Sequence, residues 1–443
     1  MIARLVRRIA AAGAVLLVAA FAPAAAAVEV QRIEADGIEA WLVEDRTNPI
    51  ITVAFAFRGG AALDPAGREG LAAMTAALLD EGAGGLDSQA FQRRLEDLAI
   101  RLGFDAAADT VGGSLRTLSE HRDAAFDLLR LALTRPRFDA EPVARVRSQM
   151  EARLRETAED PDTLAHERLS AALFPDHPYG RPTGGTPAGV AAIGVDDLRA
   201  FVAQRFARDN LVIGVVGDVA PDDLARLLRD TFAALPATAA PAAVAEVRPA
   251  ATGATLIVDT PARQSAIAFA QPGLKRDDPD FYAATVLNHV LGAGSFTSRL
   301  FAEVRERRGL AYTVRTSLVP FAHAGLIVGS AGTANERAAE TVAVIRDEWR
   351  RLAEEGVSAD ELADSKTYLT GSFPLRFTSG GRIARILVAM QLDHLGIDFL
   401  DRRNGLIEAV TLDDVNRLAR TLLDPAALTF VVAGRPDGLA VSE

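Results

Sequence analysis

The chain has 443 residues, 49% of them hydrophobic and 24% charged, with no cysteine. That length exceeds one ordinary hydrophobic core, so two or more domains are expected, and the missing cysteines exclude disulfides, iron–sulfur clusters, thiol nucleophiles and thiolate zinc sites. A formal net charge of −11 argues against nucleic acid as a partner and is compatible with basic peptides.

Residues 1–27 begin with Arg4, Arg7 and Arg8, continue through an apolar centre from Ile9 to Phe21, and end in small residues up to Ala27. This pattern predicts a secretory signal cleaved just before Val28, with an uncleaved anchor as the alternative; the apolar centre is short for a bilayer span. No later segment is long and apolar enough to cross a membrane. The expected location is therefore the periplasm, with no stable membrane anchor after cleavage.

From residue 28 to 233 strands and helices alternate. Ile51 to Phe57 alternates as a strand does, and Leu211 to Gly217 is an apolar final strand. Helices are predicted over Glu69 to Leu79, Ser88 to Leu102, Arg122 to Thr134 and Pro142 to Glu156. A linker follows over 234–251, where Pro236, Pro241 and Pro249 among alanines suit an exposed connection.

The second unit, 252–443, repeats the first. Val195 to Val219 and Leu412 to Pro436 share an acidic pair, an amphipathic helix, a break and an apolar strand, at an offset of 217 residues. Similar offsets relate Ile51 to Phe57 with Ser265 to Ala270, and Phe138 to Glu141 with Val357 to Asp360. The sequence thus predicts an α+β chain of two tandem homologous domains.

The stretch Gly292 to Leu318 is the least explicable as ordinary core and surface. Gly292 and Gly294 make a flexible entry, Ser295 is placed to cap a helix, and Phe296, Leu300, Phe301 and Val304 recur at helical spacing. Gly309 ends the helix, and Ala311 to Thr316 favour a strand. Arg305 then lies in the last helical turn and Tyr312 near the strand start, so both side chains can border one cleft. On local grounds alone, Arg305, Arg307 and Arg308 need do no more than complement the helix dipole.

The run S-R-L-F-x-E-V-R-E-R-R-G-L-A-Y-T-V, Ser298 to Val314, resembles the C-terminal-domain signature of the insulinase/pitrilysin family of zinc peptidases, in its mitochondrial-processing-peptidase-like branch. The resemblance is moderate over Phe174 to Asp218 and degenerate at the family's metal helix. It implies two domains of the LuxS/processing-peptidase type forming half of a clam-like chamber. It also implies that Arg305 holds a substrate carbonyl and that Tyr312 donates to the developing oxyanion, with Gly292 and Gly294 shaping a mobile substrate-facing loop.

Active members carry H-x-x-E-H on the first helix, two His binding zinc and the Glu activating water. Here those positions are Ala73, Ala76 and Ala77. Alanine keeps the helix but offers neither a metal ligand nor a base. Glu151 and Glu156 fall roughly where the family's third ligand lies, yet without His partners they read as a solvated helix face. The six histidines, 121, 166, 177, 289, 323 and 394, are scattered and none are paired at metal-ligand spacing. His177 reads as ordering a Pro-rich turn, His289 as a packed histidine, and Arg299 as a salt-bridge anchor.

These features imply no cofactor in this chain and a zinc expected in a partner. The expected function is the non-zinc subunit of a heterodimeric peptidase, paired with a homologous H-x-x-E-H subunit and acting on a peptide. The competing expectation is an inactive peptide-binding or scaffold protein of the same fold.

Overall fold

The computed structural model describes residues 29–439, so the signal read at 1–27 lies outside it. Strands β1 (Gln31–Ala35), β2 (Ile38–Glu44), β3 (Ile50–Arg58), β4 (Arg101–Ala106), β5 (Thr110–Leu118) and β6 (Leu211–Gly217) form one sheet, in the order β1-β2-β6-β3-β5-β4. Strands β7 (Thr255–Asp259), β8 (Gln264–Pro272), β9 (Ala311–Pro320), β10 (Gly325–Ala334) and β11 (Thr429–Gly434) form the second, in the order β7-β11-β8-β10-β9. Leaving out β1, the two orders are the same. So are the pairing senses: β2–β6 and β7–β11 are parallel, the remaining pairs antiparallel. Gly217 and Gly434, at the ends of the two equivalent strands, both have positive φ, 138° and 149°. The repeat read from the 217-residue offset is a duplicated topology.

Each sheet packs one face on its own helices. Arg122–Thr134 and Pro221–Phe232 cover the first through Phe126, Leu129, Leu228 and Phe232. Ala338–Glu355 and Leu412–Leu422 cover the second through Ile345, Trp349, Val415 and Leu418. The opposite faces are covered by exchange. Helix Gly380–Leu392 lays Ala384, Leu387 and Val388 on Ala54, Ala56, Val212 and Val216 of the first sheet. Helix Pro161–Leu173 lays Ala165, Leu169 and Leu173 on Ala266, Ala268, Ala270 and Val431 of the second.

Two helix readings change. The segment at Glu69 to Leu79 is helical only over Leu71–Ala76. The Asp64 carboxylate accepts the Gly70 and Ala72 N–H groups at 2.9 and 3.0 Å and fixes the start, with Gly70 at φ 101°. Ser88 to Leu102 divides into a helix, Ser88–Asp97, and β4. Ala99 turns the chain with φ 51°, and the alternation of Leu102, Phe104 and Ala106 toward the core belongs to a strand. The stretch 234–251 is coil, and it is fastened down. Ala240, Val247 and Ala250 donate their N–H groups to Gln204, His323 and Leu173, and Val244 and Val247 pack on the interior.

Candidate functional site

The Arg305 and Tyr312 positions emerge from a helix and a strand joined by a tight stop. Phe301–Arg307 is wound as a π-helix, with Phe301 and Val304 buried, and β9 begins at Ala311. Gly309, at φ 60°, makes the reversal, and Leu310 N–H returns to the Val304 carbonyl at 2.8 Å. Arg305 Nη1 donates to the Tyr312 carbonyl at 3.0 Å, and its guanidinium lies 4.4 Å from the Tyr312 ring centroid. Phe301 and Phe296 complete the surroundings, their centroids 4.8 and 5.7 Å away. Tyr312 is 77% exposed, and its hydroxyl has no hydrogen-bond partner among the described residues. The structure thus brings the Arg305 and Tyr312 side chains into contact.

The neighbouring arginines behave differently. Arg307 and Arg308 both pair with the buried Glu303, so they are structural. Burial acts to raise the Glu303 carboxyl, but the hydrogen bond from Arg308 and the charges of Arg307, Arg308 and Arg351 outweigh it and hold it below the usual range. Among the described residues, Arg305 has only the exposed Glu306 as an acidic neighbour, at 3.7 Å. Arg299 grips Glu361 with two bonds of 2.6 and 2.8 Å and anchors the helix, as expected from the sequence. Burial opposes ionisation of Glu361 too, yet the bonds from Arg299 and Ser358 pull it down to about 2.

Phe296 is not on the buried stripe. Ser295 adopts φ 50°, the helical path resumes after Ser298, and Phe296 is left 72% exposed in the turn. Ser295 accepts from Ser298 through its carbonyl rather than capping with its side chain. Gly292 is buried: a Cβ there would lie 2.5 Å from Thr316 Oγ1. It permits close approach of the preceding helix to β9, so the expected loop narrows to 293–297, which Gly294 enters. His289 packs beneath that loop, with Nδ1 3.0 Å from Ser365 Oγ and its ring against the exposed Tyr368. Tyr368 was not read from the sequence. It lies on helix Ala359–Gly371, where its spacing resembles that of any packed aromatic.

The zinc-motif positions lie elsewhere. Ala73 and Ala77 line a cavity of about 590 Å³ with Arg153, Glu167 and Arg181, while Ala76 is buried in the core. Among the described residues no group of three His, Asp or Glu is placed to hold a metal. Methyl groups at all three motif positions do not fit zinc, and neither Glu151 nor Glu156 reaches the cavity. His177 orders its turn as expected: Nδ1 accepts Tyr179 N–H at 3.2 Å and Nε2 reaches the Ala245 carbonyl at 3.0 Å.

Comparison with known proteins identifies the family. Residues 40–187 match the family model described as Insulinase (Peptidase family M16), and residues 192–369 match that described as Peptidase M16 inactive domain. The chain is 29% identical over 414 residues to the non-peptidase homolog YmxG of Helicobacter pylori, covering 92% of this chain and 94% of that one. It is 30% identical over 344 residues to an uncharacterized zinc protease of Streptomyces coelicolor, covering 73% and 74%. Among solved structures, a peptidase M16 inactive domain from Pseudomonas fluorescens superposes with a TM-score of 0.87 at 30% identity, over 94% of this chain and all of that one. This chain belongs to the insulinase family, peptidase family M16, and carries the family's two-domain fold with alanines where its zinc motif would stand.

Proposed function

We propose that this chain is the non-zinc subunit of an exported, two-chain peptidase, supplying Arg305 and Tyr312 to a peptide bound against a homologous H-x-x-E-H subunit. The metal and the water-activating Glu are the partner's to supply, since Ala73, Ala76 and Ala77 offer no ligand or base. In this reading the Tyr312 hydroxyl donates to the oxygen of the scissile carbonyl as negative charge gathers on it. Arg305, held by the Tyr312 carbonyl and by three rings, keeps donors free for a second substrate carbonyl. The periplasm is proposed from the basic and apolar pattern of residues 1–27.

The observation that carries this reading is the exposed Tyr312 with an unpartnered hydroxyl, stacked under an arginine that has no structural carboxylate. A scaffold has no use for such a pair, and exposing a tyrosine ring brings no folding gain. The test is peptidase activity, with zinc content, of the mature chain alone and mixed with a co-encoded H-x-x-E-H homologue. Activity is expected only in the mixture, lost on chelation, and lowered on the order of 10²-fold by Tyr312→Phe with an unchanged melting temperature. Full activity of the mixture with Tyr312→Phe would favour the scaffold reading, and zinc-dependent cleavage by this chain alone would overturn both.

A further inference from the structure

A second cavity, of about 680 Å³, opens between the two halves; neither Tyr312 nor the alanines of the zinc motif line it, although it shares Ala62, Ala108 and Phe321 with the cavity beside those alanines. The first half contributes Arg58, from the end of β3, and Arg205, from the end of helix Val195–Arg205. Asn210 ties these two together, its Nδ2 donating to the Arg58 and Arg205 carbonyls at 3.0 and 2.8 Å. The second half contributes Lys275, Arg276 and Asp393.

The charges in this cavity are unevenly matched. Lys275 is committed to Glu246 at 3.0 Å, and Arg276 faces Asp393 at 3.8 Å and donates to the Tyr282 hydroxyl. Asp109 accepts from the Tyr179 hydroxyl at 2.6 Å and from Ala322 N–H at 2.9 Å, so both its oxygens are occupied. Asp277, exposed at the rim, and the half-buried Arg58 and Arg205 are left. Each of the two arginines makes one bond to a carbonyl, Gln391 for Arg58 and Ala240 for Arg205. Neither has a carboxylate within ion-pair distance among the described residues. Burial depresses both guanidinium groups, with no compensating anion. Each guanidinium has five N–H donors, so most of both forks is unspent.

Two half-desolvated guanidinium groups line this cavity, and each offers the bidentate donor geometry that a carboxylate or phosphate accepts. A cleft at a junction of domains, with apolar walls and a few convergent charges, is the usual setting of a small-molecule site. We infer that the cavity between the halves is a binding site for a small organic anion, a carboxylate or a phosphate ester, gripped by Arg58 and Arg205. A ligand so held sits at the junction of the halves, gripped from the first, and its binding is separate from any peptide chemistry at Tyr312.

The test is isothermal titration calorimetry of the full mature chain with citrate and, separately, with inorganic pyrophosphate at low ionic strength. Saturable one-site binding of at least one probe is expected, with Kd below about 1 mM. Citrate alone assigns the carboxylate class and pyrophosphate alone the phosphate class. Arg205→Met is expected to weaken binding at least about tenfold and Arg205→Lys less, because the fork is lost but the charge kept. Arg153→Met, on the other cavity, leaves binding unchanged. Arg58→Met tests the second fork, with its apo melting temperature checked because Arg58 also holds the Gln391 carbonyl. If it does not fold, the Arg205 variants decide. No saturable binding of either probe at about 10 mM, or binding indifferent to Arg205→Met, overturns the site.

Discussion

Three arginines within four positions, 305, 307 and 308, show how little the residue type alone says. Glu303 is only 5% exposed, and removing a partner leaves a buried carboxylate short of donors. Arg308→Ala is expected to cost about 1–3 kcal/mol in urea unfolding, whereas Arg305→Ala, which strands no carboxylate, stays within about 1 kcal/mol. Equal losses would mean that Arg305 is structural after all. Burial wins at Asp80: it pushes the carboxyl up to about 6 from 3.8, the charge of Glu81 adds to it, and the bonds from its own backbone N–H and Gln92 and the charge of Arg145 do not offset it. A raised folded value means the native state holds the proton more tightly. The contribution is full below the unfolded value and is lost as pH rises through about 6. Asp80→Asn keeps the neutral shape, so its stability relative to the parent is expected to grow between about pH 4 and pH 7, by at most about 3 kcal/mol. Parallel pH–stability curves for the two proteins would contradict this.

At the scale of elements, the exchanged helices depend on small residues in the strands beneath them. Gly214 in β6 lies directly under helix Gly380–Leu392, and a Cβ there would stand 2.4 Å from the Ala384 carbonyl. Gly214→Ala is expected to destabilise by about 2–3 kcal/mol, while Gly103→Ala in β4, where the same atom meets open space, should be near neutral. Thermal unfolding of the two variants checks this, and equal melting temperatures would show that the helix can move aside. Elements with a strong period were legible in the sequence: Arg122–Thr134 forms the helix read there, and Leu211–Gly217 forms the strand. Two of the misreadings share one origin. Over Ser88 to Leu102 and at Phe296, apolar residues satisfied a helical spacing locally. The left-handed turns at Ala99 and Ser295, residues with no sequence signature for that conformation, broke the path. The Arg305–Tyr312 pairing was legible because a Gly stop and a strand pattern place the two side chains together. The ring cage was not, since the exposure of Phe296 depends on that turn.

At the scale of the whole molecule, the duplication was visible in the 217-residue offset, but the exchange of helices between halves was not. Ala54, Ala56, Ala266, Ala268 and Ala270 read as apolar strand positions whichever helix covers them, and nothing in their pattern names the partner. The exchange means that neither half carries its complete core. Residues 29–233 alone would leave the face of β3 and β6 bare and project helix Pro161–Leu173 without its sheet; residues 252–439 would do the converse. Polar ties reinforce the exchange: Gln391 Nε2 donates to the Ile213 carbonyl at 2.9 Å, and Arg58 donates to the Gln391 carbonyl at 3.0 Å. Each bare face would expose several side chains whose burial contributes up to about 1.5–3 kcal/mol apiece, a large share of the marginal stability of a domain. Produced separately, the halves are therefore expected to aggregate or to lack a cooperative unfolding transition. Produced together as two chains, they should co-purify as a 1:1 complex that unfolds as one unit. Calorimetry on the separate and combined halves distinguishes these outcomes, and a sharp independent transition in either half would show that its own helices suffice to close the core.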